Sequence, residues 1–225
     1  MPKTSIIAID GPAGSGKSTV AKEVAKRLNF LYIDTGAMYR ALTLKALNKK
    51  IDFSDTETLV KLSGNTDIEL VDEGGSLKVF LDKKDVSEAI RTIEVTKEVK
   101  RLSPLKEVRA NMVELQRKLA RVASSGVVLE GRDIGTVVFP DAPHKFYLDA
   151  SCETRIKRRF EELKEKGFSI SFKEIAEDVK ERDASDMTRK IGPLKKAEDA
   201  TVIDTTDMTV AGVVDGILKI IKSGR

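Results

Sequence analysis

Eight consecutive residues, Gly11-Pro12-Ala13-Gly14-Ser15-Gly16-Lys17-Ser18, have the types and spacing to hold a chain of phosphates. They fit G-x-x-x-x-G-K-[ST], the P-loop pattern. Backbone N–H groups wrap an anion closely only where no Cβ intervenes, which accounts for the glycines. Lys17 is placed to reach the β- and γ-phosphates, and the Ser18 hydroxyl to sit on Mg²⁺. Thr19 closes the expected ATP-phosphate stretch, 11–19. The flanks agree: an apolar run, Ile6-Ile7-Ala8-Ile9, precedes the loop, and Val20, Ala21, Val24, Ala25 and Leu28 form a helical stripe after it. That helix points its positive N-terminal end at the anion. A plain glycine turn is the alternative, and eight fitting positions with both flanks speak against it. The chain is expected to bind a nucleoside triphosphate.

A P-loop does not say whether the phosphate goes to water, to a switch or to a second substrate. The arginines bear on that. Transfer between two nucleotides gathers several negative charges at a point, so cations must be supplied and water excluded. Candidates are Arg40, Arg109, Arg132, Arg155, Arg158, Arg159, Arg182 and Arg189. Arg182, Asp186 and Arg189, four and three apart, would share one helical face. An exposed ion pair there is worth only about 0.3–0.5 kcal/mol, and a cation N-terminal to its acid is the poorer orientation. That favours function over surface decoration. Arg155, Arg158 and Arg159 also share a face, which suits phosphate binding and plain solvation equally. A nucleotide phosphate is already an anionic nucleophile, so no catalytic base is required, and His144 is expected in a loop without a task.

These residues need elements to position them. The pattern predicts strands over 30–34, 127–130, 145–149 and 200–204 besides the first, alternating with helices. That is an α/β chain of the P-loop NTPase type: a five-stranded parallel sheet sandwiched by helices. Its ligands bind beyond the carboxyl ends of the strands, where the P-loop, Asp34-Thr35-Gly36, 130–133 and Asp149 would converge. Thr35 is expected to cap one helix, a box from Ser54 to Glu57 to open another, and Ser103 with Pro104 to open a third. Alternation over 67–71 and 77–81 predicts a hairpin turning at 72–76, with a short third strand near 84–86. Gly167 is expected to stop one charged helix and a capping box from Ser171 to Glu174 to start the next. One domain of 1–225 follows: core 1–62, 103–150 and 186–225, an antiparallel insert of about 63–102, and a helical lid of about 152–185.

Composition narrows the classes. The 225 residues carry 40 Lys and Arg against 36 Asp and Glu, interleaved, with 5% aromatics, so nothing points to nucleic acid. One cysteine, Cys152, excludes an intrachain disulfide, and with a single histidine it excludes the usual zinc clusters. No apolar stretch nears the roughly 18 residues of a membrane span, and the first strand begins at once, so a soluble cytoplasmic protein is expected.

The segments IDGPAGSGKST, DTGAMYRALT, EGRDIGTVVFPDAPHKFYLDAS and KERDASDMTR resemble the bacterial cytidylate kinase family of nucleoside monophosphate kinases, nearly end to end. GRDIGTVVFPDA is the most specific of these pieces. The resemblance implies the reaction ATP + (d)CMP giving ADP + (d)CDP with Mg²⁺, in a monomer. It implies that Lys17, Arg132, Arg182 and Arg158 are catalytic, and that Thr35, Arg40 and Arg132 surround the acceptor phosphate. Arg109 and Asp133 would read cytosine, with Arg189 near the base, while Arg182 and Asp186 grip phosphate and sugar. Ser18 would hold Mg²⁺, with Glu130 reaching it through water or merely holding its loop. Cytosine offers an amino donor at N4, which a carboxylate accepts; uracil would turn O4 toward Asp133. An unpaired buried polar group costs about 1–3 kcal/mol, a preference of roughly tenfold or more for cytosine. Two positions depart from the family: Lys100 stands where a serine is frequent, and Glu130 where Asp is common.

Other classes have weaker support. A UMP or AMP kinase is the nearest, but the D-G-[FY]-P-R segment of adenylate kinases is missing. A regulatory GTPase would need N-K-x-D, also missing. An ATP-dependent nucleic-acid binder finds no basic run.

Overall fold

Both faces of the first strand are buried, so its side chains alternate between two cores rather than between core and water. In the computed structural model, which describes residues 5–73, 76–165 and 167–223, β1 (Ile6–Asp10) sends Ala8 to one core and Ile7 and Ile9 to the other. The P-loop then leads into α1 (Lys17–Leu28), followed by β2 (Leu31–Asp34), α2 (Thr35–Asn48) and α3 (Thr56–Gly64). β3 (Ile68–Glu73), β4 (Ser76–Leu81) and β5 (Lys84–Asp85) form an antiparallel sheet. Next come α4 (Ile93–Leu102), α5 (Lys106–Arg121), β6 (Val127–Gly131), β7 (His144–Asp149), α6 (Cys152–Glu165), α7 (Phe172–Thr188), β8 (Thr201–Asp204) and α8 (Val210–Lys222).

The main sheet has the order β2-β6-β1-β7-β8, every neighbour parallel. This is the P-loop NTPase arrangement, with β1 central and its loop at the carboxyl edge. β6 repeats the two-sided alternation, Val127 and Leu129 against Val128. One core joins α1 and α8 through Val20, Val24, Val213 and Ile217; the other takes Met38 and Leu42 of α2, Met112 of α5, and Ile68 and Val79 of the small sheet. The small sheet is thus fastened to the main body through α2. Helices α6 and α7 instead have a core of their own, Ile156, Ile175 and Val179. Phe160 and Phe172 meet edge-on there at 5.5 Å.

Several start signals act at other residues than expected. Asp34, not Thr35, caps α2, its carboxylate accepting from Ala37 N–H at 2.7 Å. Asp55, not Ser54, caps α3. The helix expected from Ser103 begins at Lys106 and has no side-chain cap; Ser103 itself keeps helical geometry and ends α4 instead, its N–H bonded to the Val99 carbonyl. His144 opens β7, paired with Ile7, instead of lying in a loop. The box at Ser171 and Glu174 forms as expected, and Gly167 follows α6 with φ of 78°. Residues 74 and 75 of the expected turn lie outside the described residues. Among the described residues no helix is long and apolar enough to cross a membrane.

Candidate active site

Gly16 begins α1 with φ of 82°, a left-handed conformation that other residues adopt at a cost. No side chain caps the helix, so its first-turn N–H groups stay available to an anion. Lys17 is buried, and its ammonium donates to the Pro12 carbonyl at 2.9 Å. Burial, then the nearby Arg132 charge, lowers its pKa to about 7. Ser18 and Thr19 are exposed at the loop mouth. A Cβ on Gly14 would stand 2.7 Å from the Arg155 carbonyl, so the loop packs on the root of α6.

Arg155 fixes that root: it donates to Ala13 O at 3.0 Å and Ala150 O at 3.1 Å, and pairs with Asp183 of α7. Arg158 donates to the Thr205 carbonyl and hydroxyl at 2.6 and 3.0 Å, apart from the other expected catalytic arginines in its bonding. Arg159 pairs with Glu162 at the surface.

The ends of β2 and β6 lie side by side, Asp34 opposite Glu130. Arg40 donates to Asp34 at 3.1 Å. Thr35 donates to the Glu130 carbonyl at 2.7 Å, and the Tyr32 hydroxyl to the Glu130 carboxylate at 3.1 Å. Burial and the Asp34 charge raise the Glu130 pKa, against Lys17, the Ser18 hydroxyl and Arg132.

Arg132 reaches over to α7, its Nε donating to Asp186 at 2.7 Å. Arg189 donates to the other Asp186 oxygen at 3.3 Å. Of the three residues expected on one helical face, Arg182 and Asp186 lie four apart within α7, whereas Arg189 is the extended residue that ends it; Asp186 takes its hydrogen bonds from Arg132 and Arg189. Burial disfavours its charge, yet Arg132, Arg182 and Arg189 hold its carboxyl below the ordinary range. Arg182 makes no side-chain hydrogen bond among the described residues. Burial first, and Arg132 second, pull it down to about 10.

Beside this group lies a second, drier cluster. Arg109, 3% exposed, pairs with Asp133, 5% exposed. Arg189 approaches Asp133 at 3.9 Å, and the Arg109 guanidinium lies 5.5 Å from the Tyr39 ring centre. Burial pushes the Tyr39 phenol up to about 12. Tyr39 Oη and Arg109 Nε are buried and have no hydrogen-bond partner among the described residues, which in a folded protein calls for one. Gly192, φ 56°, closes over the pair: a Cβ there would stand 2.2 Å from Asp133 and 2.6 Å from Arg109.

The structure thus brings Lys17, Arg40, Arg132, Arg182, Asp186 and Glu130 into one cluster of interacting charges, with Arg109, Asp133 and Arg189 adjoining. Three contributors were not foreseen. Thr205 donates to Ser15 O at 3.1 Å and receives Arg158; its signal was only its place after the last strand. Gly192, three residues past Arg189, carried the ordinary mark of a turn. Lys100 is tied to Asp178 at 2.8 Å and Glu181 at 3.0 Å, joining α4 to α7.

The family model for cytidylate kinase matches residues 7–223. A cytidylate kinase of Caldanaerobacter subterraneus subsp. tengcongensis is 51% identical over 216 residues, 96% of this chain and 94% of its own. One from Bacillus subtilis is 47% identical, covering 99% and 98%. An uncharacterized protein from Eubacterium ventriosum has a similar structure, TM-score 0.53 at 17% identity, covering 98% and 99%; it bears on the fold alone.

Proposed function

The chain belongs to the cytidylate kinase family and transfers the terminal phosphoryl group of ATP to CMP or dCMP, and we propose the following division of labour in its crevice. ATP lays its phosphates along 11–19, with Lys17 at the transferred group. The acceptor phosphate lies among Thr35, Arg40, Arg132 and Arg182. One of its oxygens attacks the γ-phosphorus, the bond to the β-phosphate oxygen breaks, and ADP leaves as an anion. No proton need be removed, so no base is required; the work is charge neutralisation and alignment.

The observation that carries this is the imbalance of pairing. Arg40 is matched by Asp34, Arg132 and Arg189 by Asp186, and Arg109 by Asp133. Among the described residues the Lys17 side chain has only a carbonyl partner, and the Arg182 side chain has no hydrogen-bond partner. Burial first, and the Arg132 charge second, lower the pKa of both. Arg158 belongs on the donor side, where exchanging Thr205 for a phosphate would bring it into the reaction.

Arg109, Asp133 and Arg189 read the base, Asp133 accepting from N4 of cytosine while the unpartnered Arg109 Nε and Tyr39 hydroxyl face the same cluster. Asp186 and Arg182 hold sugar and phosphate. Residues 152–185 act as a lid that excludes water; their separate small core supports motion as a unit.

Mg²⁺ fits the donor set. Among the described residues no group of three or more His, Cys, Asp or Glu is placed to hold a metal, and Mg²⁺ on a nucleotide takes most of its oxygens from phosphates and water. The exposed Ser18 hydroxyl, with Glu130 beside it, supplies hard oxygens of that kind. When bound, the ion would neutralise the β- and γ-phosphates. The protein acts as a monomer, which sedimentation at micromolar concentration tests, in the cytoplasm and without nucleic-acid or membrane partners.

A coupled ADP-release assay offering CMP, dCMP, UMP, AMP and GMP separately tests the whole. Turnover with CMP and dCMP, roughly tenfold or more above UMP, is expected. ADP release indifferent to every monophosphate would overturn it.

A further inference from the structure

Asp10 ends β1, immediately before the P-loop, and takes no part in the chemistry above. It is 4% exposed. Its main chain pairs with Gly131 in the parallel register, which brings its side chain beside the segment that carries Arg132 and Asp133. Oδ1 accepts from Ile134 N–H at 2.9 Å and Oδ2 from Gly135 N–H at 2.8 Å. Both oxygens are therefore spent on the first two N–H groups of the π-helical turn Ile134–Val138.

The other end of the segment is held too. Thr35 donates to the carbonyl of Glu130, and a Cβ on Gly131 would come within 2.7 Å of the Thr35 hydroxyl. Arg132 and Asp133 are displayed between two fixed points, one from β2–α2 and one from β1. We propose that Asp10 is a positioning residue for acceptor recognition, aligning Arg132 and Asp133 with the nucleotide loop that begins at its own carboxyl side. This rests on the reading of those two residues as acceptor contacts.

Chemistry makes the carboxylate hard to replace. Only an ionised carboxylate offers two equivalent acceptors to two adjacent donors. An asparagine of the same shape accepts one N–H and turns its NH₂ toward the other. Burial disfavours the Asp10 charge and Asp133 adds to this, leaving the carboxyl at about 7 despite both N–H groups and Arg132. Loss of this charge is thus not expected to weaken the fold; it weakens the alignment.

The test compares Asp10→Asn with wild type, scoring KM for CMP, the CMP-to-UMP ratio of kcat/KM, ATP affinity by calorimetry, and melting temperature at pH 8. Expected is a KM for CMP raised roughly tenfold and a CMP-to-UMP ratio lowered at least threefold. ATP affinity and melting temperature should remain near wild type. Combined with Asp133→Ala, the Asp10→Asn change should lower the ratio no further, because the two act through one group. Unchanged CMP kinetics overturn the proposal. Parallel losses of ATP affinity, CMP affinity and melting temperature overturn it as well, making Asp10 a residue of the fold at large. If Asp10→Asn does not fold, Asp10→Ser takes its place under the same criteria, and failure of both to fold counts against the proposal. Asp133→Ala alone is the control: if it leaves the ratio unchanged, the base-reading assignment has failed rather than the role of Asp10.

Discussion

Arg132 at the end of β6 and Asp186 on α7 are hydrogen-bonded at 2.7 Å, each about 15% exposed on its side chain. The bond joins the carboxyl end of β6 to α7. Asp186→Asn leaves Arg132 without its charge partner. The proposed charge-assisted hydrogen bond of Asp186 to the sugar, worth about 1.5–3 kcal/mol, goes with it, so kcat/KM for CMP should fall roughly 10- to 160-fold. Steady-state kinetics with ATP saturating checks this, and a fall below threefold would mean the pair is incidental.

Lys17 gives a prediction in pH. Its pKa of about 7, lowered from the ordinary 10.5 by burial and Arg132, must rise when phosphates arrive. At pH 8, ATP binding should therefore take up protons, and affinity should weaken as pH climbs above 7. Calorimetry in two buffers of different ionisation enthalpy reads the uptake directly. The stability sign follows: the burial penalty is full below pH 7 and is relieved as pH rises toward 10.5. Lys17→Ala should abolish the uptake and cut turnover by orders of magnitude, with a melting temperature equal to wild type or higher at pH 7.

Asp133→Ala should narrow the CMP-to-UMP ratio by roughly tenfold, the value of one buried polar mismatch. It also strands Arg109, so a loss of stability is expected alongside. Competition kinetics with both monophosphates separates the two effects, because a purely structural change would reduce both rates alike.

Lys100→Ala cuts the bridge from α4 to Asp178 and Glu181 on α7. The three side chains are partly exposed, 23%, 42% and 72%, so the effect on melting should be small, about 1 kcal/mol or less. The effect on lid opening should be larger in proportion. Limited proteolysis within 152–185 should quicken severalfold without nucleotide and become indistinguishable from wild type with ATP and CMP bound. Wild-type rates in both states would show that the bridge holds nothing.

The P-loop was legible because its requirement is local: a glycine at φ of 82° beside a lysine needs no distant partner to be recognised. The parallel sheet was legible for a similar reason, since strands buried on both faces read as continuous apolar runs. What escaped was partner choice. The spacing of Arg182, Asp186 and Arg189 is real, but helical periodicity does not register an arginine arriving from β6. Thr35 and Asp34 both suit a cap; Thr35 instead donates to Glu130, which only the pairing of β2 with β6 explains. Lys100 was visible as an odd residue, and its partners 78 and 81 positions away were not.

The place of β1 at the centre of the sheet has a consequence for how the protein is born. Both its neighbours, β6 and β7, are encoded more than a hundred residues after it. At roughly 5–20 residues per second, the first strand leaves the ribosome many seconds ahead of them. The antiparallel sheet of β3–β5 pairs neighbours in sequence and is free to form in that interval. An apolar central strand waiting so long is a standing risk of mispairing. Folding during synthesis should therefore be limited by the arrival of β6 and β7, and the segment that grips ATP, though made before them, becomes competent only afterwards.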